Sequence, residues 1–142
     1  MAIVTGAVSG LIVVDLDTSR AKEEMEKTIA DFDNLPRSRT GNGWQLFFKH
    51  PGIRTPNRAG LPPGFDIRGD GGYVVAPPSI HPNGRTYRWE VPITDDLPKI
   101  PGALLRLITA GDHCLLLAHC GGLGAAPRPD PATRREIDPP RP

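Results

Sequence analysis

The first element is announced by a run of apolar positions. Leu11, Ile12, Val13 and Val14 are consecutive, with Gly10 before them and Asp15 and Asp17 after, a pattern that predicts a central strand buried on both faces. Thr18 or Ser19 can cap a following helix expected to run to about Phe32. Ala21, Met25, Ile29 and Phe32 then recur on one face, and Lys22, Glu23, Glu26 and Lys27 are left to solvent. A strand followed by an amphipathic helix is the opening half of an α/β unit, although the pattern assigns no parallel partner strand.

Beyond Pro36 the period changes. TGNG at 40–43 predicts a turn and WQLFFK at 44–49 a strand. Its alternation puts Gln45, Phe47 and Lys49 on one face and Leu46, Phe48 and His50 on the other. Residues 51–64 hold four prolines and three glycines and predict a loop. Phe65 to Arg68 reads as a short strand, GDGG at 69–72 as a turn, and YVVA as a strand halted by Pro77 and Pro78. Arg85 to Val91 predicts another strand, and Leu104 to Ile108 a short helix docked by its leucines. CLLLA at 114–118 fits a strand or a helical turn.

Composition narrows this picture. A chain of 142 residues has room for one core. With 16 Gly and 17 Pro its elements must be short and much interrupted. The expected organisation is a folded domain over 1–108, an extension of uncertain character over 109–126, and a tail over 127–142. In that tail six of sixteen residues are proline and little is left to bury, so disorder is expected. MAIVTGAVSG lacks a charged start and a long apolar stretch, no apolar run reaches membrane length, and two cysteines make no disulfide framework. A cytoplasmic protein without membrane contact is the expectation.

The net charge of +1 says little, but its distribution says more. Between Pro36 and Arg68 six basic residues (Arg37, Arg39, Lys49, Arg54, Arg58, Arg68) face one acid, Asp66, a local field suited to a polyanion. Asp15 and Asp17, at i and i+2, share a strand face. Two neighbouring carboxylates repel unless a cation sits between them, and Mg²⁺ or Mn²⁺ is the hard ion that takes such ligands. The plain alternative is a strand end where Asp17 helps to cap the helix and Asp15 is half exposed. Asp66 strengthens the first reading: in FDIR, with Phe65 and Ile67 inward, it faces outward with Arg68. Three acids from two strands are enough to hold a metal pair for in-line displacement at phosphorus. Asp70 belongs to the turn and reads as structural. Trp44 and Trp89 are expected in core packing rather than stacked on a base.

These stretches carry a resemblance. VVDLD, TGNGWQLFF and FDIRGDGGYVVAPPSIHPNGRTYRW resemble the motif series of the bifunctional DNA primase/polymerase (prim-pol) domain, in the archaeo-eukaryotic primase superfamily, over residues 3–90 and less closely to 108. The resemblance implies a compact α/β (α+β) core with a short mixed or antiparallel sheet, and nucleotidyl transfer that extends or primes a nucleic-acid strand from nucleoside triphosphates. It places Asp15, Asp17 and Asp66 as catalytic, metal-binding acids. Gln45, Lys49, Arg68, Ser79 and His81 become triphosphate contacts, and Arg37, Arg39, Arg54 and Arg58 contacts to a template. A replicative helicase module is a further partner of such proteins.

Two departures stand out. The family usually has a histidine where this chain has Gln45. Glutamine keeps a donor but never a positive charge, so phosphate binding should weaken. Lys49, on the same face, is the expected compensation, and Arg68 has two roles open to it, triphosphate contact or pairing with Asp66. Family domains also carry a few dozen residues before the segment corresponding to AIVTG, so the core is expected to be incomplete on that flank. A non-catalytic, nucleic-acid-binding remnant is therefore the competing expectation. His113, Cys114, His119 and Cys120 are all zinc-ligand types, but adjacent pairs suit one tetrahedral ion poorly and structural zinc is not expected.

Overall fold

The structure is a computed structural model and describes residues 1–109. Strand β1 (Ala2–Val4) precedes β2 (Leu11–Leu16), helix α1 (Ser19–Thr28) and a 3-10 turn (Phe32–Asn34). Then come β3 (Arg37–Arg39), β4 (Trp44–Lys49), β5 (Arg58–Leu61), β6 (Phe65–Arg68), β7 (Tyr73–Val75), β8 (Arg88–Val91) and α2 (Gly102–Thr109). Six strands form one sheet in the order β5-β6-β2-β4-β3-β8, every neighbouring pair antiparallel, while β1 and β7 form a separate antiparallel ribbon.

The LIVV run becomes β2, flanked by β6 and β4, which explains why it is apolar on both faces. Its even positions face the helices. Ile12, Val14 and Leu16 pack with Leu46, Phe48, Phe65 and Ile67 from neighbouring strands, Ala21 and Met25 from α1, and Leu104 and Ile108 from α2. Its odd positions meet a smaller cluster, in which Leu11 and Val13 pack with Phe47 and Val74, with Ile3 and Trp89 alongside. Fully burying each such side chain contributes about 1.5–3 kcal/mol, so most of the burial lies on the helix side. The fold is thus mixed α/β with a short antiparallel sheet and two helices, as the sequence implies.

Several expectations shift. The helix stops at Thr28 with Ile29 as its C-cap, and Phe32 reaches the same core from the 3-10 turn. Thr18 is the N-cap, its hydroxyl accepting from the Ala21 N–H at 3.1 Å. Lys22 is only half exposed because its ammonium lies over the Phe32 and Trp44 rings. The expected loop at 51–64 contains β5, an edge strand with a bulge that Gly60 enters at φ +68. The predicted strand at 85–91 is confined to Arg88–Val91. Strand-then-helix leads to no parallel partner, since β4 returns antiparallel beside β2. The 109–126 and 127–142 segments and the His113, Cys114, His119, Cys120 set lie outside the described residues, apart from Thr109, which closes α2.

Asp70 is structural, as expected. Its Oδ1 accepts from the Ala7 N–H at 2.9 Å and meets His50 Nε2 at 3.1 Å, and its Oδ2 accepts from the Thr55 N–H at 2.7 Å. These bonds tie three segments together and, with the Thr55 N–H first in weight and the Ala7 N–H next, hold the carboxyl below its usual range.

Candidate active site

At the carboxyl end of β2 the odd-side apolar cluster gives out, and the next position on that face is Asp15. Register places Asp66 of β6 directly opposite it on one side and Gln45 of β4 directly opposite on the other. Paired residues on neighbouring strands share a face, so these three side chains emerge together. Asp17 follows one residue beyond the strand and is exposed.

The electrostatics confirm that the acids sense one another. Burial, then the charge of Asp17, and less strongly that of Asp66, push the Asp15 carboxyl up from 3.8 to about 6, against the pull of Arg68 and a hydrogen bond from the Gln45 amide. Asp17 is also raised, by burial and then by Asp66, with Arg68 again opposing. Gln45 is itself buried, and its Oε1 accepts from Ser38 Oγ on β3 at 3.0 Å. Ser38, Gln45 and Asp15 thus form a chain across three adjacent strands.

Asp66 is already engaged. Its Oδ1 accepts from the Gly60 N–H at 2.7 Å and its Oδ2 from Arg68 Nη2 at 2.9 Å. Of the two roles open to Arg68, pairing with Asp66 is the one occupied. The donor chemistry of Asp15 and Asp17 fits a hard divalent cation, since it would relieve the repulsion that raises both carboxyls. Asp66 fits only if its side chain leaves Gly60 and Arg68, and no group of three His, Cys, Asp or Glu among the described residues is close enough to grip a metal as arranged.

The remaining predicted contacts divide. His81 comes near: its ring lies 6.0 Å from that of Tyr87, and the Asp15 charge, after burial, raises the Tyr87 phenol. His81 Nδ1 accepts from the Asn83 N–H at 3.2 Å, and its ring lies so close to Gly41 that a Cβ there would sit 2.2 Å from Cγ. The Ser79 hydroxyl is taken by Met1, accepting from its ammonium at 2.8 Å and donating to its carbonyl at 3.2 Å. Lys49 is on Gln45's face but pairs with Leu11 at the opposite end of β2. Four residues of strand, about 13 Å, separate it from Gln45, so it is not brought to the acids.

The four predicted template arginines are likewise dispersed. Arg37 and Arg39 register with Leu46 and Trp44 and so leave the sheet on the helix side. Arg37 Nε donates to Glu90 at 2.8 Å and its Nη1 to the Phe32 carbonyl at 2.7 Å. Arg58 pairs with Ile67 at the far edge, also on the helix side, and Arg54 is exposed in the segment before it. Trp44 and Trp89 are both in core packing, the latter against Phe47 at 5.1 Å between ring centroids. Ser38 and Tyr87 escaped the sequence reading because their roles come from strand order and a loop's path, neither of which has a local signature. Among the described residues no helix is long and apolar enough to cross a membrane.

The mixed α/β core, with its short antiparallel sheet and two helices, is consistent with a compact primase-polymerase-like core. The particular family follows from comparison with known proteins: the Prim-Pol profile, bifunctional DNA primase/polymerase, N-terminal, matches residues 1–103, and the chain belongs to that family. No curated protein and no solved structure matches it significantly. Membership implies nucleotidyltransferase-type activity and interaction with nucleic acid and nucleoside triphosphates.

Proposed function

We propose that this chain extends or primes a nucleic-acid strand from nucleoside triphosphates, with Asp15 and Asp17 as its permanent metal-binding acids and Asp66 joining them when substrate binds. The observation that carries this reading is the register that sets Asp66 and Gln45 on either side of Asp15, on a face where unscreened carboxylates repel. A bound Mg²⁺ or Mn²⁺ would supply Lewis-acid stabilisation of charge developing on phosphate oxygens. The residues do the rest. Gln45, anchored by Ser38, holds Asp15 in place. Arg68 exchanges Asp66 for the triphosphate and Asp66 turns from the Gly60 N–H, which frees a third carboxylate as the substrate arrives. His81, beside Tyr87, borders the same face and contacts the triphosphate. The 3′-hydroxyl of the growing strand gives its proton to solvent as its oxygen bonds to the α-phosphorus, the bond from that phosphorus to its bridging oxygen breaks, and pyrophosphate leaves.

A second reading has its own support. Asp66 is closed off by Gly60 and Arg68, and Gln45 stands where the resemblance leads one to expect a histidine. A nucleic-acid-binding domain that has lost catalysis would look the same. Template-dependent incorporation of a labelled deoxynucleotide with Mg²⁺ or Mn²⁺, compared with Asp15→Ala, separates the two. Incorporation lost in the variant is the expected result, and nucleic-acid binding without incorporation by the unaltered chain overturns it. A helicase module, as in related replication systems, is a partner to be sought by the same assay on forked templates.

A further inference from the structure

The arginines that the structure gathers are not those that cluster in the sequence. Arg39 on β3 and Arg88 on β8 are direct cross-strand partners, so both leave the sheet on one face. Arg85 lies close by, its Nη1 donating to the Gly41 carbonyl at 3.1 Å. With Thr40 and Thr86 they line an open cavity of about 650 Å³. Like charges directly opposite on a sheet are unfavourable unless something neutralises them. The one carboxylate in the lining, Glu90, does not do so: its Oε2 accepts from Arg37 Nε at 2.8 Å and its Oε1 from Trp44 Nε1 at 3.2 Å. Three guanidinium groups therefore face a carboxylate that Arg37 already balances.

Two of the three are held in place. The Arg39 guanidinium lies 3.8 Å from the centroid of the Trp44 ring, a stacking that holds it in place. Arg85 is held by Gly41. That carbonyl belongs to the 40–43 turn, which also forms the wall of the carboxylate site. A Cβ on Gly43 would lie 1.8 Å from the Leu16 carbonyl oxygen and 3.3 Å from Asp17 Cα. The turn is thus in contact with Asp17 on one side and with Arg85 on the other.

We propose that this groove binds the sugar-phosphate backbone of a single nucleic-acid strand, which passes over the 40–43 turn from the carboxylate face into the arginines. The direction of that path rests on the function proposed above, whereas the binding itself does not. Guanidinium forks match phosphate oxygens bidentately, the Trp44 ring is covered by Arg39, and the Trp89 ring, half-buried, packs against Phe47. Recognition is therefore through phosphates, indifferent to base sequence and steeply dependent on salt.

The test measures binding of a labelled oligothymidylate to the full chain across a salt series. Arg85→Ala/Arg88→Ala should weaken binding and flatten the log Kd against log salt slope by about 1.4, about 0.7 per lost phosphate contact. Arg85→Lys/Arg88→Lys should recover most of the slope, and Lys27→Ala, on the solvent face of α1, should keep it. Arg88→Glu alone, which leaves the Arg85–Gly41 bond intact and sets an opposite charge across from Arg39, should weaken binding with an unfolding midpoint no lower than that of the unaltered chain. An unaltered slope in both Arg85→Ala/Arg88→Ala and Arg88→Glu overturns the proposal. So does displacement of the oligonucleotide by equimolar nucleoside triphosphate, which would make the groove a free-triphosphate site. An arginine-dependent slope in a chain that incorporates no nucleotide leaves the groove standing and removes the polymerase reading, whereas incorporation with an unaltered slope does the reverse.

Discussion

Replacing Asp15 by Asn should make the protein more stable while removing its activity. Asp15 is pushed from 3.8 to about 6 by burial and by Asp17. Between those two values the folded protein holds a proton that the unfolded chain has released. Stability therefore falls as pH rises through this window, and above pH 6 the full penalty is present. A shift of about 2 units at 1.36 kcal/mol per unit gives close to 3 kcal/mol as an upper figure. Asn removes the charge yet keeps an oxygen that can accept from the Gln45 amide, so the site need not reorganise.

Unfolding of the two proteins should be followed side by side at pH 8 and pH 4, without divalent ions. At pH 8 the variant should be more stable by about 1–3 kcal/mol, seen as a rise in Tm of about 3–5 °C per kcal/mol for a chain of this size. At pH 4, where folded Asp15 is protonated, the gap should close. Manganese should narrow it at pH 8 by stabilising only the unaltered protein. Equal stabilities at pH 8, or a gap of the same size at both pH values, would refute the claim that an ionised Asp15 strains the fold.

Three further outcomes are expected. Ser38→Ala leaves buried Gln45 Oε1 without its donor, so stability should drop by about 1–3 kcal/mol and, as Gln45 loosens, the pH window of Asp15 should move upward in the same unfolding series. Gly43→Ala places a Cβ 1.8 Å from the Leu16 carbonyl oxygen; the strand end must shift, costing about 1–3 kcal/mol and cutting the stabilisation by manganese. Asp70→Asn keeps one acceptor and turns the other into a donor, so either the Thr55 N–H or the Ala7 N–H loses its partner. Because the folded-state pKa of Asp70 is depressed, its contribution is present at neutral pH and lost as pH falls through its folded value, so the variant's lower unfolding midpoint should converge on that of the unaltered protein in acid.

What could be read from the sequence was whatever has a local period. The LIVV run, the alternation of WQLFFK and the inward Phe65 and Ile67 around Asp66 each specify which side chains share a face, and the structure keeps those faces. Pairing is not local. The helix after β2 opened an α/β unit without naming a partner strand, and the structure supplies β4, antiparallel, beside β2. Strand β5 was hidden because Gly60, at φ +68, and the prolines beside it look like loop. Charge density misled for a related reason: the six basic residues between 37 and 68 were dealt to four strands, one loop and both faces of the sheet. Arg85 and Arg88, outside that stretch, meet Arg39 only because β8 lies beside β3. Gln45 was legible as a site-facing residue, but Ser38, which holds it, enters from the neighbouring strand.

Two acids can follow an apolar strand in this fold because β2 has two unequal sides. On the even side, Ile12, Val14 and Leu16 are covered by both helices and are fully buried; at about 1.5–3 kcal/mol each, these three alone outweigh the strain of an ionised Asp15. On the odd side the cover is only the short β1–β7 ribbon and its neighbours, which reach Leu11 and Val13 and stop there. Extending that cover by one residue pair would bury Asp15 completely and drive it to the neutral form, while removing it would expose Val13 and Phe47. The length of the ribbon therefore sets how far Asp15 is desolvated, and with it the pH at which the carboxylate becomes available to a cation.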